Sequence, residues 1–224
     1  MHSGQVCAAG SRIFVQEGIY DQFVEIFKGV AQSFKRGNGF DPATSQGPLI
    51  SQVQLERVLG YIESGKQEGA KLQVGGAKAG DEGYFIEPTI FTDVKADMKI
   101  VREEIFGPVA VIIKFKTEEE VIALANDTVY GLSSNIFSEN IKRAIRVAHA
   151  LEAGSAYVCP SVLLHNSKLR GLRILIILIG QPSRDSGLPG LVRWREAVWV
   201  RQGHGRVRAR VVRFFLFCLW DVPC

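Results

Sequence analysis

A single thiol set among small residues is the strongest chemical signal in this 224-residue chain. Cys7 sits in the run Ser3-Gly4-Gln5-Val6-Cys7-Ala8-Ala9-Gly10-Ser11-Arg12, just before a strand-like stretch. The thiolate is the attacking form of cysteine, and Gly and Ala neighbours leave room for a substrate carbonyl and for backbone N–H donors. The competing reading is a small buried hydrophobe, the common role of cysteine in intracellular chains. His2 is a weak partner for a Cys–His dyad, because the second residue of a chain is seldom held in place. The four Cys have no paired spacing and form no C-x-x-C, which argues against a disulfide framework and against a zinc site, so no metal is expected. No G-x-G-x-x-G occurs. The run from Gly60 to Lys66 nearly spells a phosphate loop, but Gln67 replaces the required Ser or Thr and the stretch lies in a helical pattern, so it reads as a helix end.

Elements able to position such a thiol alternate between strand and helix. Residues 12–16 read as a strand, and Gly18 then opens a helix with Phe23, Phe27, Val30 and Phe34 on one stripe, ending near Gly37. Residues 52–69 read as a second helix, with Val58, Leu59 and Ile62 inward. Residues 108–115, rich in Val and Ile, read as a strand buried on both faces. Thr117 caps a helix whose first turn holds Glu118, Glu119 and Glu120, where acidic groups oppose the macrodipole. Ser138 is expected to cap another, with Ile141, Ala144, Ile145 and Ala148 as its apolar face and His149 near its carboxyl end. Gly154 stops it, and residues 155–158 return as a strand. The predicted fold class is α/β, a mostly parallel sheet flanked by helices.

The Cys7 run resembles the active-site cysteine signature of the aldehyde dehydrogenase superfamily. Arg102-Glu103-Glu104-Ile105-Phe106-Gly107-Pro108-Val109 resembles a second signature of that family, and Asn126-Asp127-Thr128-Val129-Tyr130-Gly131-Leu132 a third. Leu59-Gly60-Tyr61-Ile62 and Gly83-Tyr84-Phe85-Ile86-Glu87-Pro88-Thr89-Ile90 fit between them in the right order. The resemblance runs from about Ser3 to about Val158. It implies an oxidoreductase that converts a small-molecule aldehyde to a carboxylic acid with NAD or NADP, through a thiohemiacetal and thioester on Cys7. It also implies that Glu104 binds the nicotinamide ribose hydroxyls, that Phe106 packs nearby, and that Gln54 is a further ribose contact. Glu103 is expected to face solvent or a salt bridge. In that family the nucleotide domain, the glutamate base and the asparagine oxyanion donor lie largely before the cysteine, so the dinucleotide-binding domain is expected to be largely absent and the catalytic domain incomplete. Family members also assemble as homo-oligomers, through strands expected to be missing or altered here.

Charge divides the chain near residue 160. Up to Pro160, 16 Lys and Arg stand against 20 Asp and Glu, a balance of −4; beyond it 11 stand against 3, a balance of +8, and the two make the overall +4. Trp194, Trp199 and Trp220 all lie in the second part. Residues 1–159 are therefore taken as the partial catalytic domain, and residues 160–224 as a divergent basic and apolar tail, expected to be poorly ordered. Read as degenerate codons one nucleotide forward, residues 192–210 permit Phe-Gly-Gly-Val-Lys-Gln-Ser-Gly-Phe-Gly, a phrase of that family, so the tail is expected to be frame-shifted or intron-derived. Transcript sequence across residues 158–192 with no such frame would remove this reading. Taken at face value, Arg206, Arg208, Arg210 and Arg213 would instead suit a nucleic-acid or membrane surface; no nucleic-acid partner is expected on the frame-shift reading. Neither apolar run, 172–179 nor 214–220, reaches the roughly 18 residues of a membrane span. No cleavable leader precedes residue 20, and the expected location is cytoplasmic.

Overall fold

A computed structural model describes residues 2–7, 9–160, 175–179 and 198–200. Its strands are β1 (Gly10–Gln16), β2 (Lys71–Val74), β3 (Thr89–Thr92), β4 (Val109–Phe115), β5 (Ser133–Ser138), β6 (Ser155–Pro160), β7 (Leu175–Ile179) and β8 (Val198–Val200). The helices are α1 (Tyr20–Gln32), α2 (Gln52–Gln67), α3 (Lys99–Arg102), α4 (Glu118–Asn126) and α5 (Ile141–Ala150). The strands form one sheet in the order β2-β3-β4-β1-β7-β5-β6-β8. β3, β4, β1, β5, β6 and β8 share one direction, while β2 at the edge and β7 in the middle run against it. The mostly parallel α/β architecture expected from the alternation is thus present.

Side chains of β1 and β4 alternate between the sheet faces, as the two-residue strand period requires. Ile13, Val15, Ala110 and Ile112 pack with Phe23, Val24 and Phe27 of α1, and the Phe23 and Phe27 rings stack at 5.5 Å. Val109 and Val111 face the other way, onto Leu55, Val58 and Ile62 of α2 and Ile100 of α3. Phe14 joins Val121 of α4 and Ala144 and Val147 of α5. Fully burying each of these Val, Leu, Ile and Phe side chains contributes about 1.5–3 kcal/mol, so both faces of the two strands beneath the site are anchored.

Several boundaries differ from expectation. A 3-10 turn over Glu17–Ile19 precedes α1, which therefore begins at Tyr20 rather than Gly18 and ends at Gln32. Asn140, not Ser138, caps α5: its side-chain oxygen accepts from the Arg143 N–H at 3.1 Å. Ser138 still belongs to the β5 ladder, and its hydroxyl oxygen accepts from the Asn140 N–H at 3.2 Å. The buried face of α5 is Ala144, Val147 and Ala148, while Ile141 is exposed. Thr117 caps α4 as expected, and Glu120 completes a reciprocal capping box. Within the tail, residues 175–179 form β7 and residues 198–200 form β8. The Arg cluster of residues 206–213 and the apolar run 214–220 lie outside the described residues. Among the described residues, no helix is long and apolar enough to cross a membrane.

Candidate active site

Two loops enter the sheet side by side, because β1 and β4 are parallel neighbours with Arg12 opposite Val111. One loop carries Cys7 into β1; the other carries residues 104–107 into β4. Their meeting place is therefore at the amino ends of the strands.

The Cys7 loop turns through two left-handed residues, Ser3 with φ 54° and Gly4 with φ 74°. The Ser3 hydroxyl donates to the Gly47 carbonyl at 3.0 Å. Gln5 ties the loop to the segment before α2: its side-chain oxygen accepts from the Ile50 N–H at 2.9 Å, and its amide nitrogen donates to the His2 carbonyl at 3.1 Å. The Ala9 N–H donates to the Val6 carbonyl at 2.9 Å, folding the chain tightly around Cys7. Cys7 is an exposed free thiol.

The second loop contains an aromatic residue in the left-handed region, Phe106 with φ 58°. Such a backbone costs on the order of 1–2 kcal/mol for a residue with a Cβ, so it persists only where neighbours hold it. The Gln54 side-chain amide donates to the Phe106 carbonyl at 2.7 Å. Arg57 donates to the Glu104 carbonyl at 3.3 Å, and the Glu104 N–H donates to the Tyr130 hydroxyl oxygen, also at 3.3 Å. Glu103, expected to face solvent or a salt bridge, is exposed and accepts a 2.7 Å hydrogen bond from the Tyr61 hydroxyl. Burial raises the Tyr61 pKa, and so does that hydrogen bond, because phenolate beside carboxylate is disfavoured.

The third motif is a brace. Asp127 pairs with Arg102 at 2.9 Å. Asn126 donates to the Ala150 carbonyl and accepts from the Glu152 N–H, each at 2.9 Å, so it clamps the end of α5 to the end of α4. Beneath it the buried Arg12 donates to the Leu124 and Ala125 carbonyls at 3.4 and 3.2 Å. Burial lowers the Arg12 pKa to about 10, against the opposing field of Asp127. The supporting roles of Asn126, Arg12 and Tyr130 were not assigned from the sequence. All three stood in recognised motifs, Arg12 in the Cys7 run and Asn126 and Tyr130 in the third, which was the available signal.

The loops touch at Gly4 and Gly107. A shallow cleft with room for about one water lies between them, lined by Gly4, Val6 and Ala9 from the first and by Glu104, Phe106 and Gly107 from the second, among others. Among the described residues, Glu104 is the one ionisable group in that lining. Of the sequence-derived candidates, Glu104 and Phe106 line the cleft, Cys7 lies on the loop forming the opposite wall, and Gln54 stands behind Phe106. His2 is exposed, and its carbonyl accepts from the Gln5 N–H at 3.0 Å. No cluster of groups suited to a metal ion occurs among the described residues.

A family model described as the aldehyde dehydrogenase family matches residues 1–168. An aldehyde dehydrogenase of Agaricus bisporus is 56% identical over 155 residues, which cover 69% of this chain and 31% of that protein. Aldehyde dehydrogenase 1A1 of Bos taurus is 49% identical over 174 residues, covering 77% of this chain and 35% of that protein. Among solved structures, the NAD+ complex of an aldehyde dehydrogenase from Bacillus cereus superposes with a TM-score of 0.69 at 48% identity, covering 70% of this chain and 32% of that one. A betaine aldehyde dehydrogenase from Staphylococcus aureus in complex with NAD+ gives the same TM-score at 43% identity, again covering 70% and 32%. The chain thus spans about a third of the length of the curated relatives it matches.

Proposed function

Since the chain belongs to the aldehyde dehydrogenase family, we propose that it carries the nucleophile and the nicotinamide-facing wall of a centre that oxidises aldehydes to carboxylic acids with NAD or NADP. The observation that carries this reading is the packing of the Cys7 loop against the 104–107 turn around one cleft. The cleft itself encloses little more space than one water molecule, so it would supply one wall of a dinucleotide site rather than an enclosing pocket. Glu104, which lines the cleft, is assigned to accept from ribose hydroxyls, Phe106 to supply apolar wall, and Gln54 to the same end, one step behind through Phe106. Bound there, the cofactor would supply a hydride acceptor.

The protein's own part begins with the Cys7 thiolate, whose sulfur adds to the aldehyde carbonyl carbon as the carbonyl π pair moves onto oxygen. Backbone N–H groups of the tight Cys7 loop are candidates to stabilise that oxyanion, the interaction that contributes most to such reactions. Loss of hydride from the adduct leaves a thioester on Cys7, and water attack then releases the carboxylate and restores the thiolate. A free catalytic thiol calls for a reducing setting, so a cytoplasmic location belongs to the same proposal.

Aldehyde-dependent NADH formation by the purified chain, lost in Cys7→Ser, is the expected result. Turnover that survives Cys7→Ser would overturn the assignment of the nucleophile. The coverage of about a third of the relatives' length supports a second reading, in which this chain alone retains a reactive Cys7 without turnover. Selective labelling of Cys7 by an aldehyde-like electrophile, without NADH formation, would identify that state.

A further inference from the structure

We propose that Gln54 is a positioning residue for the Cys7 loop, acting through the strained Phe106 turn. Five contacts form a circuit around the cleft. The Gln54 side chain donates to the Phe106 carbonyl at 2.7 Å, holding that residue at φ 58°. The next residue, Gly107, is pressed between Val58 of α2 and Gly4 of the Cys7 loop; a Cβ on Gly107 would come within 2.6 Å of a Val58 methyl. Gly4 rests directly on the Gly107 backbone. Gln5 accepts from the Ile50 N–H at 2.9 Å, and Ser51, beside Ile50, caps α2 by accepting from the Gln54 N–H at 3.3 Å. The cap and the latch are therefore the backbone and side chain of one residue, at the first turn of α2.

This arrangement gives Gln54 a task separate from any direct contact with a cofactor. An aromatic residue in the left-handed region relaxes toward ordinary φ values unless something opposes the change. Relaxation at Phe106 would move the Gly107 carbonyl, and Gly4 has no slack to absorb that movement. The Cys7 loop would then lose its support on one side while Gln5 still tethers it on the other. The importance of this coupling for catalysis rests on Cys7 being the nucleophile, whereas the coupling itself is independent of turnover.

Amide hydrogen exchange on the full chain, followed by mass spectrometry, tests it without a cofactor. Gln54→Leu and Gln54→Glu remove the donor, and Gln54→Lys keeps one at similar reach. The expected result is exchange two- to tenfold faster, on the order of what one net hydrogen bond sustains, in both the 2–9 and 103–109 segments of the first two variants. Near-native rates in Gln54→Lys and unchanged rates in α4 complete the expected pattern. Faster exchange in 103–109 with 2–9 unchanged would overturn the proposal, as would no change in either segment. A rise that also includes α4 would make Gln54 a general stabilising contact and would equally overturn it.

Discussion

Gly4 and Gly107 meet backbone to backbone: a Cβ placed on Gly4 would lie 2.1 Å from the Gly107 carbonyl oxygen. Gly4 also has φ 74°, so its lack of a side chain serves two purposes at once. The loop bearing the thiol and the turn bearing Glu104 can share one cleft only because neither has a Cβ at the point of contact.

Gly4→Ala is therefore expected to destabilise by more than about 2 kcal/mol, since steric overlap with backbone adds to left-handed strain. Urea unfolding measures the loss. Cys7 should also become uniformly reactive with small and bulky thiol reagents, because the wall beside it has moved. An unchanged unfolding midpoint would mean that the two loops do not pack as described.

The strands β1 and β4 and the α4 cap were legible in the sequence because each depends on a short local pattern. The apolar run of β4 and the Thr117–Glu120 capping box are examples. β5 was not legible. Its Ser-Ser-Asn-Ile-Phe-Ser sequence is largely polar, yet all six residues are buried, and the Ser134 hydroxyl has no hydrogen-bond partner among the described residues. Sheet position overrode composition there. For α5, the sequence pointed to Ser138 as the cap, but Ser138 is held in the β5 ladder and Asn140, two residues on, takes that role. At the site, motif resemblance picked out Cys7, Glu104 and Phe106. It could not place them at the amino ends of the strands, whereas open α/β sheets usually bind ligands at the carboxyl ends. That location follows from the pairing of β1 with β4.

Thr117→Ala tests the α4 cap apart from the site. The Thr117 hydroxyl oxygen accepts from the Glu120 N–H at 3.2 Å, and the Glu120 carboxylate accepts from the Lys116 and Thr117 N–H groups. Removing the cap leaves helix donors without this partner and should cost about 1 kcal/mol. The reading is a lower urea midpoint with an unchanged slope. Cys7 labelling should be unaffected.

Glu118 sets part of the acid stability. Its carboxylate accepts from Arg146 at 2.6 and 2.8 Å, and that hydrogen bonding, with the charges of Arg146 and Arg143, lowers its pKa against the opposing effect of burial. A depressed folded-state pKa stabilises fully above the unfolded value and is lost as pH falls through the folded one. Glu118→Gln should therefore lower the unfolding midpoint at pH 7 and flatten its decline below the ordinary value of 4.5. Parallel curves for the two proteins from pH 7 to pH 3 would show that the pair contributes nothing.

The strand β7 lies antiparallel to both neighbours, with Ile177 opposite Ile13 of β1 and Asn135 of β5. Among the described residues it alone lies between β1 and β5 in the sheet, so the halves carrying the Cys7 loop and α5 are joined through its backbone. Proline cannot donate to a ladder and is excluded from central strands. Ile177→Pro should therefore expose the facing edges of β1 and β5, both templates for pairing with other chains. The expected outcome is a rise in light scattering and in thioflavin fluorescence at concentrations where the parent chain gives neither. If the variant instead stays as dispersed as the parent, with unchanged amide exchange in β1 and β5, then residues 175–179 do not close the sheet.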